Sequence, residues 1–465
     1  MKTPNLGRIK SLWSIIQDAL SLNIFDMSFG GSSEALGQMH LIFPDTVRMG
    51  VLVRLSAFMY HLSTALGQYL QAKTRRPERG GILLFATSKN QRDSLLRLRA
   101  IIPDTYLGGC YTEVDQPFPL FMSHIISLPF FPIVAFHYWR ASEYQRLSFR
   151  LNLDNYWLTY GAYIACRNWF ARLEPRAIIL SNDHNTLNRI ALKCARRHNV
   201  PTIYLQHASV TAKFPPLDFD YAFLEGRDAA RKYDEAGPSR ATVLLVGMVK
   251  FDAYAQYVNQ HNTLVSLGIC TNILDPMPEV SALCGELKEQ CPQLRLVLRQ
   301  HPLDPRTVEW QSISSLHGIE FSDSRREEAL LFLRGIDGII AAESSIHLEA
   351  AMMNVYPLYY AYNGQYRDWY GYGRYKLYDH CASRTEVLEK VRGLMRGKPS
   401  VRERAKAYCE TINTPYDGKS SLLVKSEVQR IVFGEPDLNV GWTRDRSYRN
   451  LDVRIPGNSI GPIAK

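Results

Sequence analysis

The sequence of 465 residues lacks the cysteine patterns that mark zinc sites and disulfide frameworks. Its eight cysteines include no C-x-x-C pair. Cys284 and Cys291 are too far apart for a zinc knuckle and have no paired histidines nearby. Scattered cysteines in a chain of this size are typical of proteins from a reducing compartment. We therefore expect a cytoplasmic protein.

The glycine-rich phosphate-binding patterns are also missing. No G-x-G-x-x-G follows a predicted strand, and no G-x-x-x-x-G-K is present, so dinucleotide-binding and P-loop interpretations have little support. Asp218 and Asp220 have D-x-D spacing, but they lie in the proline-containing stretch "PPLDFDYAF". We therefore predict that the protein binds no metal there and needs no cofactor.

Charged residues are absent from residues 116–139, which contain no Asp, Glu, Lys or Arg. The segment is long enough to span a bilayer. Its four prolines argue against one uninterrupted helix. We predict a buried or membrane-dipping element. The apolar N-terminal run "SLWSIIQDALSLNIF" is interrupted by Gln17 and Asp18, which predicts an amphipathic helix and not a signal peptide.

Positive charge is in excess, with 55 Lys and Arg residues against 45 Asp and Glu, a formal net charge of +10 and a pI near 9.1. Such a balance favours partners that carry phosphates, nucleic acid or an anionic membrane face, although a merely basic soluble protein is an open alternative. The basic run at residues 73–79 and the uncharged segment favour peripheral attachment to the cytoplasmic face of the inner membrane.

Strand and helix patterns alternate along most of the chain. "GILLFATS" followed by "QRDSLLRLRAII" reads as strand, loop and helix, and the same order recurs through residues 175–207 and again after residue 262. We predict an α/β protein with two Rossmann-like domains facing across a cleft. The first covers residues 1–255 and includes a helical N-terminal extension, and the second covers residues 262–430. The linker lies at residues 252–262, and the tail at 431–465 packs back on the first domain or is mobile.

In the second domain, polar residues stand where predicted strands end, and parallel strands usually bind ligands at their carboxyl ends. Arg299, His301 and Pro302 close the strand "LRLVLRQHP". Either cationic side chain would make charge-assisted hydrogen bonds to a phosphate. The alternative is structural, with His301 bonded to a nearby carbonyl group.

A second motif of this domain, "AAESSIHLEA", places Ser344 and Ser345 at the start of a helix and Glu349 within it. A helix N-terminus with serine hydroxyls binds anions, and the carboxylate could accept hydrogen bonds from ribose hydroxyls. Ordinary helix capping is the alternative. Together with the preceding strand end, the motif predicts a nucleotide-phosphate site.

The first domain offers a candidate acid–base pair. "LSNDHN" places Asp183 and His184 at one strand end, and "YLQHAS" places Gln206 and His207 at the next. An Asp and a His on adjacent strand ends can together deprotonate a hydroxyl group. The alternative makes Asp183 a helix N-cap and His207 a turn residue.

A third polar edge, "ATSKNQRD", contains Lys89 and Arg92. These side chains either meet an acidic acceptor or are simply solvated. With His184 and Gln206, they form the predicted acceptor-binding set.

These motifs resemble those of a known family. "SNDH" and "NVPTIYLQHAS" resemble the acceptor domain of bacterial surface-polysaccharide glycosyltransferases of the GT-B type, and "VGMVKFD" looks like the end of that domain. "RQHP" and "ESSIHLEA" resemble the His-Pro and serine motifs of the bacterial sialyltransferase, polysialyltransferase and Kdo-transferase groups. Transferases of capsule and wall polymers that use CDP-glycerol look similar. The resemblance covers roughly residues 80–370.

The resemblance implies roles for matching residues. His301 would contact the nucleotide phosphate and assist the leaving group, Ser344 and Ser345 would bind the same phosphate, and Asp183 would be the catalytic base. The sequence departs from the family at Ala208, where related chains often have glycine, and it lacks the sialyltransferase pattern of two acidic residues followed by glycine.

The implied activity is that of a metal-independent glycosyltransferase in the synthesis of capsule, lipopolysaccharide or a related glycan. It would move a sugar from a nucleotide donor, CMP-linked before CDP-linked or UDP-linked, to a glycan or lipid-linked acceptor, with no nucleic-acid partner. One alternative is a polyol-phosphate transferase that uses CDP-glycerol or CDP-ribitol. Another is a non-catalytic, basic protein that binds polyanions or membranes.

Overall fold

The computed structural model describes residues 6–28, 51–72, 79–110, 113–182, 184–457 and 461–462. The helices are α1 (Leu6–Leu20), α2 (Val51–Ala72), α3 (Lys89–Arg99), α4 (Leu120–Ser127), α5 (Phe131–Arg140), α6 (Glu143–Leu151), α7 (Leu153–Leu173), α8 (Thr186–Arg197), α9 (Arg227–Ala236), α10 (Met277–Gln290), α11 (Thr307–His317), α12 (Ala329–Leu333), α13 (Ile346–Met352), α14 (Arg384–Arg396) and α15 (Ser420–Phe433). Short 3₁₀ helices occur at Leu128–Phe130, Val249–Tyr257, Tyr372–Tyr375 and Arg402–Ala405.

The strands form two large sheets and one small one. They are β1 (Ile82–Ala86), β2 (Thr105–Gly109), β3 (Gln116–Pro117), β4 (Ala177–Leu180), β5 (Thr202–Leu205), β6 (Tyr221–Leu224), β7 (Thr242–Leu245), β8 (Ser266–Cys270), β9 (Arg295–Arg299), β10 (Glu320–Ser322), β11 (Gly338–Ala341), β12 (Tyr356–Tyr360), β13 (Asp379–Cys381), β14 (Leu438–Asn439), β15 (Thr443–Asp445), β16 (Asp452–Ile455) and β17 (Gly461–Pro462). β14 and β17 pair by themselves as an antiparallel ribbon.

The first large sheet has the order β15-β16-β7-β6-β5-β4-β1-β2-β3. Its strands pair in parallel except for β15 with β16. From β3 to β7 this is the strand order of a Rossmann fold. The order reverses between β1 and β4, where Ile82 pairs with Ala177.

The second large sheet has the order β10-β9-β8-β11-β12-β13, and all of its pairings are parallel. This is again the Rossmann order, with its reversal between β8 and β11. The predicted fold class, two Rossmann-like α/β domains with a helical N-terminal extension, is confirmed.

The hydrophobic cores of both domains are built around apolar, fully buried strands. Every residue of β1, β8 and β12 is buried, as expected for parallel strands with helices on both faces. In the first domain, the rings of Phe85 and Trp169 lie 5.9 Å apart between the sheet and α7. Each of the eight cysteines is a free thiol.

The uncharged segment at residues 116–139 forms β3, α4, a 3₁₀ turn and α5. Pro129 and Pro132 fall in the first turns of the 3₁₀ helix and of α5, where a missing N–H costs little. One face of the run packs on α7 so closely that a Cβ on Gly161 would lie 2.1 Å from the carbonyl oxygen of Ser123. By length and composition, Leu120–Arg140 would suffice to cross a membrane.

The C-terminal segment returns to the first domain. β16 pairs with β7, and the buried residues Leu423, Val424 and Val428 of α15 pack with the core of the first sheet. We predicted that the second domain extends to residue 430, whereas α15 covers the first sheet. Helical periodicity shows that α15 has an apolar face, but it does not show which of two sheets that face covers.

Candidate functional site

A cleft of about 360 Å³ lies between the two Rossmann-like domains. Its first wall contains Gln206 and His207, which follow β5, and Glu225, which follows β6. Its second wall contains Ser345 and Glu349 at the start of α13. The carboxyl ends of parallel strands thus face the cleft, as predicted for the ligand site of such a fold.

An ion pair joins the two walls. The ammonium group of Lys250, in the 3₁₀ helix after β7, contacts the Oε1 atom of Glu349 in α13. Burial by itself lowers the pKa of Lys250, but the carboxylates of Glu349 and Glu225 outweigh it, so the pKa lies above its ordinary value. The lysine is therefore charged at neutral pH and neutralises the carboxylate across the cleft.

Among the described acids of the cleft, Glu225 has the most strongly shifted pKa. Its side chain is buried, with the residue 3% exposed. Burial raises the pKa of its carboxyl group to about 8; Lys250 partly opposes this shift and Glu349 reinforces it. At neutral pH the group therefore holds a proton. A protonated carboxyl group in a cleft is suited to general acid catalysis.

Gln206 positions this acid. Its Nε2 atom donates to the Oε2 atom of Glu225 at 3.2 Å, and its Oε1 atom accepts from the backbone N–H of Glu225 at 2.9 Å. A further bond from Nε2 reaches the carbonyl oxygen of Ala208 at 3.1 Å. We predicted that Gln206 binds the acceptor, but its amide is occupied in orienting Glu225.

Of the predicted acid–base pair of the first domain, Asp183 and His207, the structure describes only His207. His207 lines the cleft beside Gln206. His184 does not line it: its ring lies 4.7 Å from that of Phe214, and its Nε2 atom is 3.2 Å from the Nδ2 atom of Asn182. Asp183 lies outside the described residues, so its role as the base stays a prediction.

Arg299 does not project into the cleft, which corrects our expectation. Its buried guanidinium donates to the Oγ atom of Ser322 at 2.6 Å and to the carbonyl oxygen of Glu327 at 2.7 Å, and it lies over the ring of Phe332 at 4.7 Å. The pleat of β9 directs the side chain toward the neighbouring β10 and the loop that follows it. The arginine therefore stabilises this loop.

His301 and Pro302 occupy the turn after β9 and are not among the described residues that line the 360 Å³ cleft. The Nδ1 atom of His301 accepts a hydrogen bond from the backbone N–H of Leu303 at 3.2 Å, which leaves the proton of the neutral ring on Nε2. Burial lowers its pKa, and Asp304 only partly opposes this. The ring is therefore a neutral donor near pH 7 and not the cation that we expected. Its contact with a nucleotide stays a prediction.

The serine motif begins α13. The Oγ atom of Ser344 accepts from the backbone N–H of Ile346 at 3.3 Å, which is a capping contact. Ser345 is exposed and lines the cleft. Phosphate binding by either serine, and ribose binding by Glu349, stay predictions.

The remaining predicted acceptor residues form surface ion pairs. Lys89 contacts Asp93 at 2.6 Å, and Arg92 contacts Glu113 at 2.7 Å. Lys89 is largely exposed and does not line the cleft, which favours the solvated alternative.

The D-x-D aspartates have structural partners. Asp218 pairs with Arg196, and Asp220 accepts from the backbone N–H of Thr202 at 2.9 Å. Among the described residues, no group of three or more His, Cys, Asp or Glu side chains is arranged to hold a metal ion.

Glu225 and Lys250 were not predicted as site residues from the sequence. Glu225 stands at the end of the buried strand "YAFL", so the strand-end rule used elsewhere would have found it. The glycine that follows is required because a Cβ at Gly226 would lie 2.5 Å from the backbone of Tyr408. Lys250 has no such local signal, because its partner lies 99 positions along the chain.

Comparisons with known proteins agree with this fold. No protein-family model matches the chain, and no curated protein matches it. A Listeria monocytogenes protein assigned as a UDP-N-acetylglucosamine 2-epimerase has 13% identity and a TM-score of 0.52, over 76% of this chain and 96% of its own. The Neisseria meningitidis UDP-GlcNAc 2-epimerase has 12% identity and a TM-score of 0.49, over 76% and 100%. The wall teichoic acid polymerase TagF has 10% identity and a TM-score of 0.47, over 83% and 99%.

At 13% identity, the likeness to the Listeria monocytogenes protein shows the fold alone. The chain has the GT-B arrangement, in which two Rossmann-like domains face one cleft. What the cleft does must be argued from its own side chains.

Proposed function

We propose that this protein is a GT-B glycosyltransferase of surface-glycan synthesis that moves a sugar from a nucleotide-activated donor to a glycan or lipid-linked acceptor. The observation that carries the proposal is the group formed by Glu225, Lys250 and Glu349 across the interdomain cleft. It combines a proton donor, a cation and a hydrogen-bond acceptor.

The chemistry of transfer matches these three groups. A departing phosphate gains negative charge, which the ammonium of Lys250 would stabilise more in the transition state than in the ground state. Glu349, released from the lysine by the phosphate, would accept hydrogen bonds from the hydroxyls of ribose or sugar. Glu225 would supply a proton to the departing phosphate, and the predicted pair of Asp183 and His207 would take one from the acceptor hydroxyl.

The charge of the cleft favours a substrate rich in hydroxyls over a bare polyanion. Among the described residues, its lining contains the carboxyl groups of Asp93, Glu225, Glu328 and Glu349 and the two cationic side chains of Arg97 and Lys250. Carboxylates are hydrogen-bond acceptors that suit sugar hydroxyls. The alternative of a non-catalytic polyanion-binding protein is therefore less well supported at this site.

The donor is left to experiment. Our preference for CMP rests on the motif resemblance alone, whereas the proteins of similar fold include enzymes named for UDP-GlcNAc and a wall teichoic acid polymerase. UDP-sugars and CDP-polyols are therefore tested beside CMP-sugars. Metal independence and the absence of a cofactor belong to the same proposal.

The proposed activity is tested by NMR. Purified protein is incubated with each donor and with glycan acceptors, in the presence and in the absence of a chelator. Transfer predicts release of the free nucleotide together with a glycosylated acceptor, and an unchanged rate in the chelator. A CDP-polyol that reacts alone would support the polyol-phosphate transferase. Formation of a new sugar nucleotide without release of nucleotide would identify an epimerase, and no reaction with any donor would contradict the proposal.

A further inference from the structure

A stripe of exposed apolar side chains runs along the helical extension. It consists of Ile125, Leu128, Phe131, Phe136 and Trp139, on the nearly continuous run formed by α4, the 3₁₀ turn and α5. Phe136 is 51% exposed and Trp139 is 74% exposed. Ile125, Leu128, Phe136 and Trp139 follow one another at helical spacing, and Phe131 lies at the edge of the same face. From Ile125 to Trp139 the stripe measures about 21 Å along the helix.

The opposite face of the same run is packed inside the protein. Ser123, His124 and Ser127 are buried, and the Nε2 atom of His137 lies 3.0 Å from the hydroxyl oxygen of Tyr160 in α7. Only 28% of the most apolar part of the run is buried. The run is therefore held by the folded domain along one side and exposed along the other.

The chemistry around the stripe indicates what covers it. The stripe ends at Trp139. The guanidinium of the next residue, Arg140, lies over the ring of Phe136 at 5.5 Å. An exposed aromatic next to a basic side chain is typical of the membrane interface. α5 and α6 together carry three arginines and one glutamate, and the chain has a net charge of +10.

We propose that this stripe docks the protein on an anionic lipid bilayer, with α4 and α5 lying parallel to the membrane surface. The aromatic side chains enter the boundary between headgroups and acyl chains, and the arginines remain at the headgroups. The inference is independent of the proposed enzymatic activity, because none of its residues lines the interdomain cleft.

Flotation with lipid vesicles tests this inference. The full-length protein is mixed with vesicles of phosphatidylcholine that contain phosphatidylglycerol, and with vesicles of phosphatidylcholine alone. We expect flotation with the anionic vesicles that weakens, without vanishing, at high salt, because salt screens the arginines but not the apolar contact. The double variant Phe136→Ser and Trp139→Ser should bind at least roughly tenfold more weakly.

The matched control is the double variant Leu303→Ser and Leu316→Ser, which removes two apolar side chains of the second domain that are 78% and 74% exposed. It should float like the wild type. Equal flotation of the stripe variant and the wild type would overturn the proposal, as would a wild type that binds no vesicle. If light scattering instead shows a dimer that only the stripe variant dissociates, the stripe binds a second copy of the chain and the membrane proposal is wrong.

Discussion

Replacing Glu225 with glutamine probes the acid of the cleft. Glutamine keeps the size of the side chain and can still accept the bond from Gln206, but it carries no acidic proton. A general acid typically contributes a factor of about 10² to 10⁴ in rate, so Glu225→Gln should lose that much turnover if the proposal is right. In the wild type, turnover should fall as the pH rises through about 8, where the buried carboxyl group loses its proton.

Glu225→Gln should lower turnover but raise the stability of the protein at alkaline pH. The pKa of Glu225 rises from an ordinary 4.5 to about 8 on folding. Between these values the native state holds a proton that the unfolded state has lost, so the free energy of unfolding decreases as the pH rises across this window. At about 1.4 kcal/mol for each pH unit, the loss is at most roughly 5 kcal/mol by pH 8. Glu225→Gln removes this loss.

Denaturant titrations at a series of pH values from 5 to 8, together with turnover over the same range, check both effects. We expect a variant that is nearly inactive, as stable as the wild type near pH 5 and more stable near pH 8. Glu289→Gln, a change of an exposed glutamate, is the matched control and should alter neither property. An active Glu225→Gln, or a pH dependence of stability identical to that of the wild type, would refute the assignment.

Three further predictions concern charged residues of the two domains. Lys250 lowers the pKa of Glu225 and Glu349 raises it, so Lys250→Met should move the alkaline limb of the pH–rate profile to higher pH and Glu349→Gln should move it to lower pH. A shift of the limb in the same direction in both variants would contradict this. Arg299→Ala should lower the free energy of unfolding by roughly 3 kcal/mol in denaturant titration, and the folded variant should keep its nucleotide affinity in calorimetry. A weaker nucleotide affinity would show that Arg299 contributes to nucleotide binding. Asp183→Asn should lower turnover by about 10² to 10⁴ without a change in nucleotide affinity, and an active variant would make His207 the preferred base.

The sequence was informative about the sheets because their physical signal is local. Strands buried on both faces read as apolar runs such as "ILLFA" in β1, and the intervening helices show their own periodicity. Two successive units of this kind predict two parallel sheets. Right-handed connections are compatible with more than one strand order, so the order itself required the structure. Placing α15 required knowledge of three-dimensional packing, since its buried face fits either sheet by composition.

The site was predictable only where position along a strand was enough. The end of β5 brought Gln206 and His207 to the cleft wall, as expected. The direction of a side chain at a strand end depends on the pleat, and for this reason Arg299 turned to β10 and away from the cleft. The pairing of Lys250 with Glu349 depends on how two domains face each other, which no local pattern encodes.

The central claim is that the interdomain cleft binds a nucleotide through Lys250, and calorimetric titration of UDP, CDP and CMP tests it most directly. We expect at least one of them to bind with a Kd between roughly 1 μM and 1 mM. Lys250→Met should weaken that binding by about tenfold or more, whereas Lys288→Met, a change of an exposed lysine on α10, should bind like the wild type. Binding of none of the three nucleotides, or equal binding by the wild type and Lys250→Met, would contradict the account.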